Sequence, residues 1–137
     1  MASVGKEAIY VETSVISYRV ARPNANPLTA ARQAMTHAWW ETRLAHLESW
    51  VAEVVVREIR AGEQAMVERR MEAIRDFPSL AMDSRIDKVM NAIASRRILP
   101  VKALDDLAHL SFAAVHKVRL VVTWNFRHLA NPDILPV

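Results

Sequence analysis

Short apolar runs alternate with longer stretches of mixed hydrophobic and charged residues along the whole chain. Residues 8–11 and 120–123 have the length and the β-branched or aromatic content typical of buried strands. A second strand is predicted near residues 48–52, and a third, weaker one at residues 80–82. Four short strands are therefore spread over almost the full length of the chain.

The stretches that follow these strands are rich in helix-forming residues, with charges on most exposed turns. Thr13 or Ser14 is expected to cap the first helix, Gly62 to end the third, and Asp83 or Ser84 to open the fifth. Helices are predicted over residues 13–20, 28–45, 53–61, 63–76, 84–97 and 104–118.

Strands that alternate with helices predict a parallel sheet covered on both faces. The expected fold class is α/β, a three-layer α/β/α arrangement around a central parallel sheet of about four to five strands. The 137 residues, 52% of them hydrophobic, suit a single domain spanning residues 1–137. Sheets of this kind place their functional sites at the carboxyl ends of the strands.

Composition excludes several classes of site. The chain has no cysteine, so a disulfide framework, a thiolate zinc site and a cysteine nucleophile are excluded, and a reducing cytoplasmic location is expected. Two glycines are too few for a glycine-rich phosphate loop. The apolar runs are too short to span a membrane, and the first residues lack a secretory signal. A net charge of +3 permits an anionic partner without requiring one.

Three acids stand in apolar surroundings. Glu12 ends the first strand, Glu58 lies within an apolar helix, and Asp106 lies three residues before His109, on the same helix face. Each has an ordinary explanation as a helix-start or surface acid. Taken together, three acids indicate a divalent-metal site, because magnesium and manganese prefer oxygen ligands.

Several neighbouring residues extend this site. Thr123 and Asn125 follow the last strand and would lie beside Glu12 if the first and last strands were neighbours. Arg19, near the end of the first predicted helix, and Arg22, just after it, are the preferred contacts for an anionic backbone. Trp39 and Trp40 are interpreted as core or dimer-interface packing rather than as a base-stacking surface.

Four motifs occur in order over nearly the whole chain. They are Ile9 to Tyr18 with Glu12-Thr13-Ser14, Glu58 to Gly62, Asp106 to Leu110, and Thr123-Trp124-Asn125 with the residues to His128. Together they resemble the PIN-domain family and in particular its VapC-like toxin ribonucleases. The resemblance is to a subgroup with a Glu-Thr-Ser first motif and a Thr-Trp-Asn last motif.

The resemblance implies a set of site residues. Glu12, Glu58 and Asp106 would bind Mg²⁺ or Mn²⁺, directly or through water, and Asn125 would lie near the metal as a fourth catalytic position. By the same resemblance the metal would activate a water for in-line attack on a phosphodiester. The residues expected to support these four are Thr13, Thr123, His109 and Asp105.

The implied function is metal-dependent endonucleolytic cleavage of RNA by the toxin of a type II toxin–antitoxin pair. A cognate antitoxin protein and a homodimer are expected with it. The alternative is a catalytically weak or inactive PIN-like module that binds nucleic acid or a protein partner. It is motivated by Asn125, which stands where many members have Asp, and by an end at Val137 that is shorter than in many relatives. Glu12 likewise stands where most members have Asp.

Overall fold

The computed structural model describes residues 5–96 and 104–126. Within these ranges each predicted strand and helix is present, with ends that differ by a few residues. The elements are β1 (Glu7–Val11), α1 (Thr13–Val20), α2 (Pro27–Thr42), β2 (Leu47–Ala52), α3 (Glu53–Arg60), α4 (Gln64–Ala73), β3 (Ser79–Leu80), α5 (Ser84–Ser95), α6 (Leu104–Val115) and β4 (Leu120–Val122). The expectation of a shortened carboxyl-terminal end falls on residues outside the described ranges.

The four strands form one all-parallel sheet in the order β3-β2-β1-β4. The pairing of β1 with β4 places Val11 opposite Val122, and the pairing of β1 with β2 places Tyr10 opposite Trp50. Six helices flank this sheet in the described part of the chain. The predicted α/β class and parallel sheet are confirmed.

The core covers both faces of the sheet. Ile9, Tyr10 and Val11 are consecutive in β1 and all buried, and consecutive strand residues point to opposite faces. Trp40 stacks on Phe77 with ring centroids 5.6 Å apart, and both rings pack against this core. Among the described helices, none is long and apolar enough to cross a membrane.

The strand order creates a crevice between β1 and β4. From β1 the chain proceeds to β2 and then β3 on one side, whereas β4 returns to the other side of β1. At such a switch point the connections leave the sheet in opposite directions and open a gap at the carboxyl ends of the strands. Glu12 and Thr123, which follow β1 and β4, therefore meet at this edge.

Two helix ends differ from the prediction. Glu12, not Thr13 or Ser14, is the cap of α1, and its carboxylate accepts a hydrogen bond from the Ser14 amide at 3.0 Å. The third helix ends at Arg60 and its cap is Ala61 in a right-handed conformation, so Gly62 does not serve as a left-handed cap.

The predicted start of α5 is confirmed, whereas α6 ends earlier than predicted. Asp83 caps α5 as predicted, by accepting from the Arg85 amide at 2.8 Å. The last helix ends at Val115 rather than at residue 118, because Lys117 adopts a left-handed conformation with φ of 57° that an α-helix does not accommodate.

We expect Ile59→Ala to lower the free energy of unfolding by about 2–5 kcal/mol, because Ile59 is fully buried in the core. Urea unfolding monitored by circular dichroism measures the change. Leu28→Ala, at an exposed position of α2, is the control and should shift the value by about 0.5 kcal/mol or less. Equal losses of unfolding free energy in the two variants would contradict the burial of Ile59 in the core.

Candidate metal centre

Glu12 lies at the end of β1 and is 95% buried, with 5% of its surface exposed. Its backbone amide donates to the Val122 carbonyl at 3.1 Å, which extends the pairing of β1 with β4 by one residue. Its carboxylate accepts from the hydroxyls of Ser14 and Thr123, the latter at 2.6 Å, as well as from the Ser14 amide. These donors compensate the desolvation of a buried negative charge.

The same hydroxyls connect the segment after β4 to the start of α1. The Ser14 hydroxyl accepts from the Trp124 amide at 2.9 Å, and the Thr123 hydroxyl accepts from the Asn125 amide at 2.8 Å. The expected neighbourhood of Glu12, Thr123 and Asn125 is therefore present.

Glu58 reaches the site from α3. One carboxylate oxygen accepts from the Thr13 hydroxyl at 2.5 Å and lies 2.6 Å from the Nε2 atom of His109. Burial alone would raise the pKa of Glu58, but the hydrogen bonds from His109 and Thr13 and the nearby Arg57 outweigh it and lower that pKa below its ordinary value. Glu58 is consequently ionised at neutral pH.

His109 has no exposed surface and is held at both ring nitrogens. Its Nδ1 atom lies 2.6 Å from the hydroxyl of Tyr10, which is also fully buried. Burial, with a contribution from Glu58 and Glu12, raises the pKa of Tyr10, so the phenol keeps its proton. In a neutral imidazole Nδ1 then accepts from Tyr10, and Nε2 donates to Glu58.

Glu12, Glu58 and His109 offer ligand atoms that all lie within 4.8 Å of one another. Asp106 is not a member of this group, but its carboxylate accepts from the Asn125 side-chain amide at 3.0 Å. Asn125 follows β4 at the same edge of the sheet, and Asp106 lies one turn before His109 in α6. Of the three predicted acids, Glu12 and Glu58 thus lie together, whereas Asp106 is held near the same edge by its hydrogen bond with Asn125.

The donor set is compatible with a divalent cation. Negative charges on two carboxylates this close would repel each other, and a bound cation relieves such repulsion. Carboxylate oxygens suit magnesium and manganese, whereas a histidine nitrogen suits zinc, copper, iron or nickel. Because both nitrogens of His109 already form hydrogen bonds within the protein, the two glutamates are the primary ligand candidates and His109 orients Glu58.

The remaining predicted site residues make other contacts. Asp105 forms an exposed ion pair with Arg57 at 2.9 Å. Arg19 forms an ion pair with Glu41 at 2.6 Å and lies 5.5 Å above the ring of Trp40. The backbone carbonyl of Arg22, an exposed residue, accepts from the Gln33 side chain at 2.8 Å. The assignment of Arg19 and Arg22 to RNA contacts stays a prediction.

Sequence reasoning missed two members of this network, Tyr10 and Ser14. A tyrosine in the middle of a buried strand needs a partner for its hydroxyl, and this was the available signal for Tyr10. Ser14 was considered as a cap, but its hydroxyl instead donates to Glu12 and accepts from Trp124.

Comparison with known protein families finds no family that matches the chain, and comparison with curated proteins finds no significant relative. The observations that carry a function are therefore the α/β fold and the buried cluster of two glutamates and a histidine.

We expect Glu58→Gln to weaken the dependence of stability on pH in acid. Because the folded-state pKa of Glu58 is lowered, its contribution to stability is present above the unfolded value, near 4.5, and is lost as pH falls through the folded pKa. Urea unfolding of the metal-free protein at neutral and acid pH measures this loss, which should be smaller in the variant. Thr13→Val removes one hydrogen-bond donor to Glu58 and should make the loss of stability in acid smaller, but less so than Glu58→Gln. An unchanged pH dependence of stability in both variants would contradict the hydrogen bonds described for Glu58.

Proposed function

We propose that this protein is a metal-dependent endoribonuclease of the PIN-domain type that hydrolyses RNA phosphodiester bonds. The observation that carries the proposal is the pair of carboxylates, Glu12 and Glu58, held with His109 at the crevice between β1 and β4. Its support from the sequence is the resemblance of the four motifs to VapC-like toxins. The proposed biological role is that of the toxin in a type II toxin–antitoxin pair.

Glu12 and Glu58 would hold Mg²⁺ or Mn²⁺, with Asp106 contributing from α6 directly or through a water. When bound, the metal would lower the pKa of a water and stabilise the charge that develops on the phosphodiester. Asn125 donates to Asp106 and so holds that carboxylate at the same edge of the sheet. The four residues are those that the resemblance implies as catalytic.

Three residues keep the carboxylates in position for this role. Thr123 donates to Glu12, Thr13 donates to Glu58, and His109 lies between Glu58 and Tyr10. Each of these contacts joins elements that are distant in the sequence, so the ligand geometry is set by the packed fold rather than by local chain conformation.

The proposed partners are RNA, a cognate antitoxin protein and a second copy of the chain. Arg19 and Arg22 are the proposed contacts to the RNA backbone. A PIN-like module that binds without cutting is the second candidate. Asn125 favours it, because an amide in the place of an acid removes one negative charge from the site and weakens its attraction for a cation.

We expect the purified protein to cleave single-stranded RNA in the presence of magnesium or manganese and not in chelator. Asp106→Asn and Glu58→Gln should each lower the cleavage rate about 100-fold or more, because each removes a charge that faces the proposed metal. Labelled RNA resolved on a denaturing gel measures the rate. Asp87→Asn, an exposed acid in the first turn of α5, is the matched control and should cleave at the wild-type rate.

Cleavage that persists in chelator and in both site variants would be the work of a contaminating nuclease and would overturn the mechanism. No cleavage of any single-stranded or structured RNA, together with no bound metal, would favour the second candidate.

We expect Mn²⁺ to bind the protein at a single site that Glu12→Gln weakens by more than tenfold. Thr123→Val removes the hydroxyl that donates to Glu12 and should weaken binding by about 10-fold to 100-fold. Electron paramagnetic resonance of free Mn²⁺ measures both affinities. The control is Thr42→Val, an exposed residue whose hydroxyl donates to the Ala38 carbonyl within α2. Equal affinity in the two threonine variants would contradict the proposed site.

A further inference from the structure

An apolar pocket of about 200 Å³ adjoins the candidate metal centre. Its lining includes Met35, Thr36 and Trp39 of α2, together with Val122, Thr123 and Trp124 at the end of β4. Thr123 belongs to both sites, because its hydroxyl donates to Glu12. A molecule seated in the pocket therefore lies within one residue of the proposed metal ligand.

The aromatic wall of this pocket is fixed in place. The indole nitrogen of Trp124 donates to the Thr36 hydroxyl at 2.8 Å, and that hydroxyl donates to the Arg32 carbonyl at 2.7 Å. The ring of Tyr18 packs edge-on against Trp124 with centroids 5.9 Å apart. A preformed flat wall loses little conformational entropy when it receives a flat ligand.

A cationic group lies beside this wall. The guanidinium of Arg32 lies 5.7 Å from the ring centroid of Trp124 and 5.6 Å from that of Phe126, whose side chain is half exposed. No carboxylate of residues 5–96 and 104–126 lies within ion-pair distance of Arg32. One guanidinium nitrogen of Arg32 donates to the Tyr18 hydroxyl at 3.5 Å, and its charge is available to an anion beside the ring of Trp124.

Flat apolar walls, an arginine with no carboxylate partner among the described residues, and a metal centre within one residue suit an unpaired nucleotide. An apolar protein side chain would use the walls but not Arg32. The bases of a duplex are stacked on their neighbours and cannot enter.

We propose that this pocket binds one unpaired nucleobase of a single-stranded RNA, while Arg32 contacts an adjacent phosphate. The inference rests on the proposed function, because it assigns the pocket to the nucleotide next to the bond that is cut. It extends that function by making single-stranded RNA, rather than duplex, the preferred substrate and by giving the pocket a part in sequence preference.

The test measures binding separately from cleavage. Fluorescence anisotropy of a labelled 12-nucleotide single-stranded RNA is recorded in calcium and again in chelator, beside the same strand in a duplex. Met35→Trp fills the pocket from an exposed position and should weaken single-strand binding about 5-fold to 100-fold, the range for loss of one stacked base. Met82→Trp, equally exposed but away from the pocket, should leave it unchanged.

Arg32→Ala tests the phosphate contact. It should weaken binding and reduce the slope of log affinity against log salt by about 0.7, the contribution of one phosphate on a single strand. Arg43→Ala removes a charge just after the end of α2 and should leave the slope unchanged.

The outcomes separate the two proposals. RNA binding that depends on Met35 and Arg32, without cleavage in any metal, would support the pocket and overturn the nuclease. Metal-dependent cleavage with equal binding by Met35→Trp and Met82→Trp would support the nuclease and overturn the pocket. Three further outcomes would overturn the proposal of a base-binding pocket. They are no RNA binding in calcium or in chelator, tighter binding of the duplex than of the single strand, and a Met35→Trp variant that changes only the oligomeric mass in light scattering.

Discussion

The constraint on which this structure depends is the approach of two carboxylates, Glu12 and Glu58, at the edge of a buried parallel sheet. Their ligand atoms and that of His109 lie within 4.8 Å of one another, and Glu12 is almost fully buried. Like charges at this distance and burial both disfavour ionisation. Hydroxyl, amide and imidazole donors around the pair compensate, and the donors to Glu58, with Arg57 nearby, lower its pKa despite its burial.

Several of the donors that stabilise the two carboxylates belong to the first turn of α1. Thr13 donates to Glu58, and Ser14 donates to Glu12 while accepting from the backbone of Trp124. Glu12 is therefore a helix cap and a candidate metal ligand at once, so the ordinary and the functional explanations of this acid do not compete. The hydrogen bond from the Trp124 amide to the Ser14 hydroxyl also joins the charged site to the residue that forms the aromatic wall of the neighbouring pocket.

The organisation of the fold was predictable because it follows from local pattern. Apolar runs of strand length alternating with helical stretches predicted the parallel sheet. The position of Glu12 and Thr123 directly after strands predicted that they would meet at one edge only if β1 and β4 were neighbours, which the folded sheet decides. Helix ends were less predictable, because a cap depends on backbone conformation: Glu12 replaced Thr13 and Ser14 as the cap of α1, and Gly62 did not adopt the conformation expected of it.

By itself the sequence determined the fold class, the strand positions and the acids that lie at strand ends or on one helix face, because each depends on residues a few positions apart. The partners of the acids were decided only by tertiary structure, since the bond from Thr123 to Glu12 spans 111 residues and the contact of Tyr10 with His109 spans 99. The pocket likewise exists only because α2 packs beside the end of β4. No periodicity or local spacing encodes such contacts, since they arise when elements distant in the chain exclude water from a shared surface.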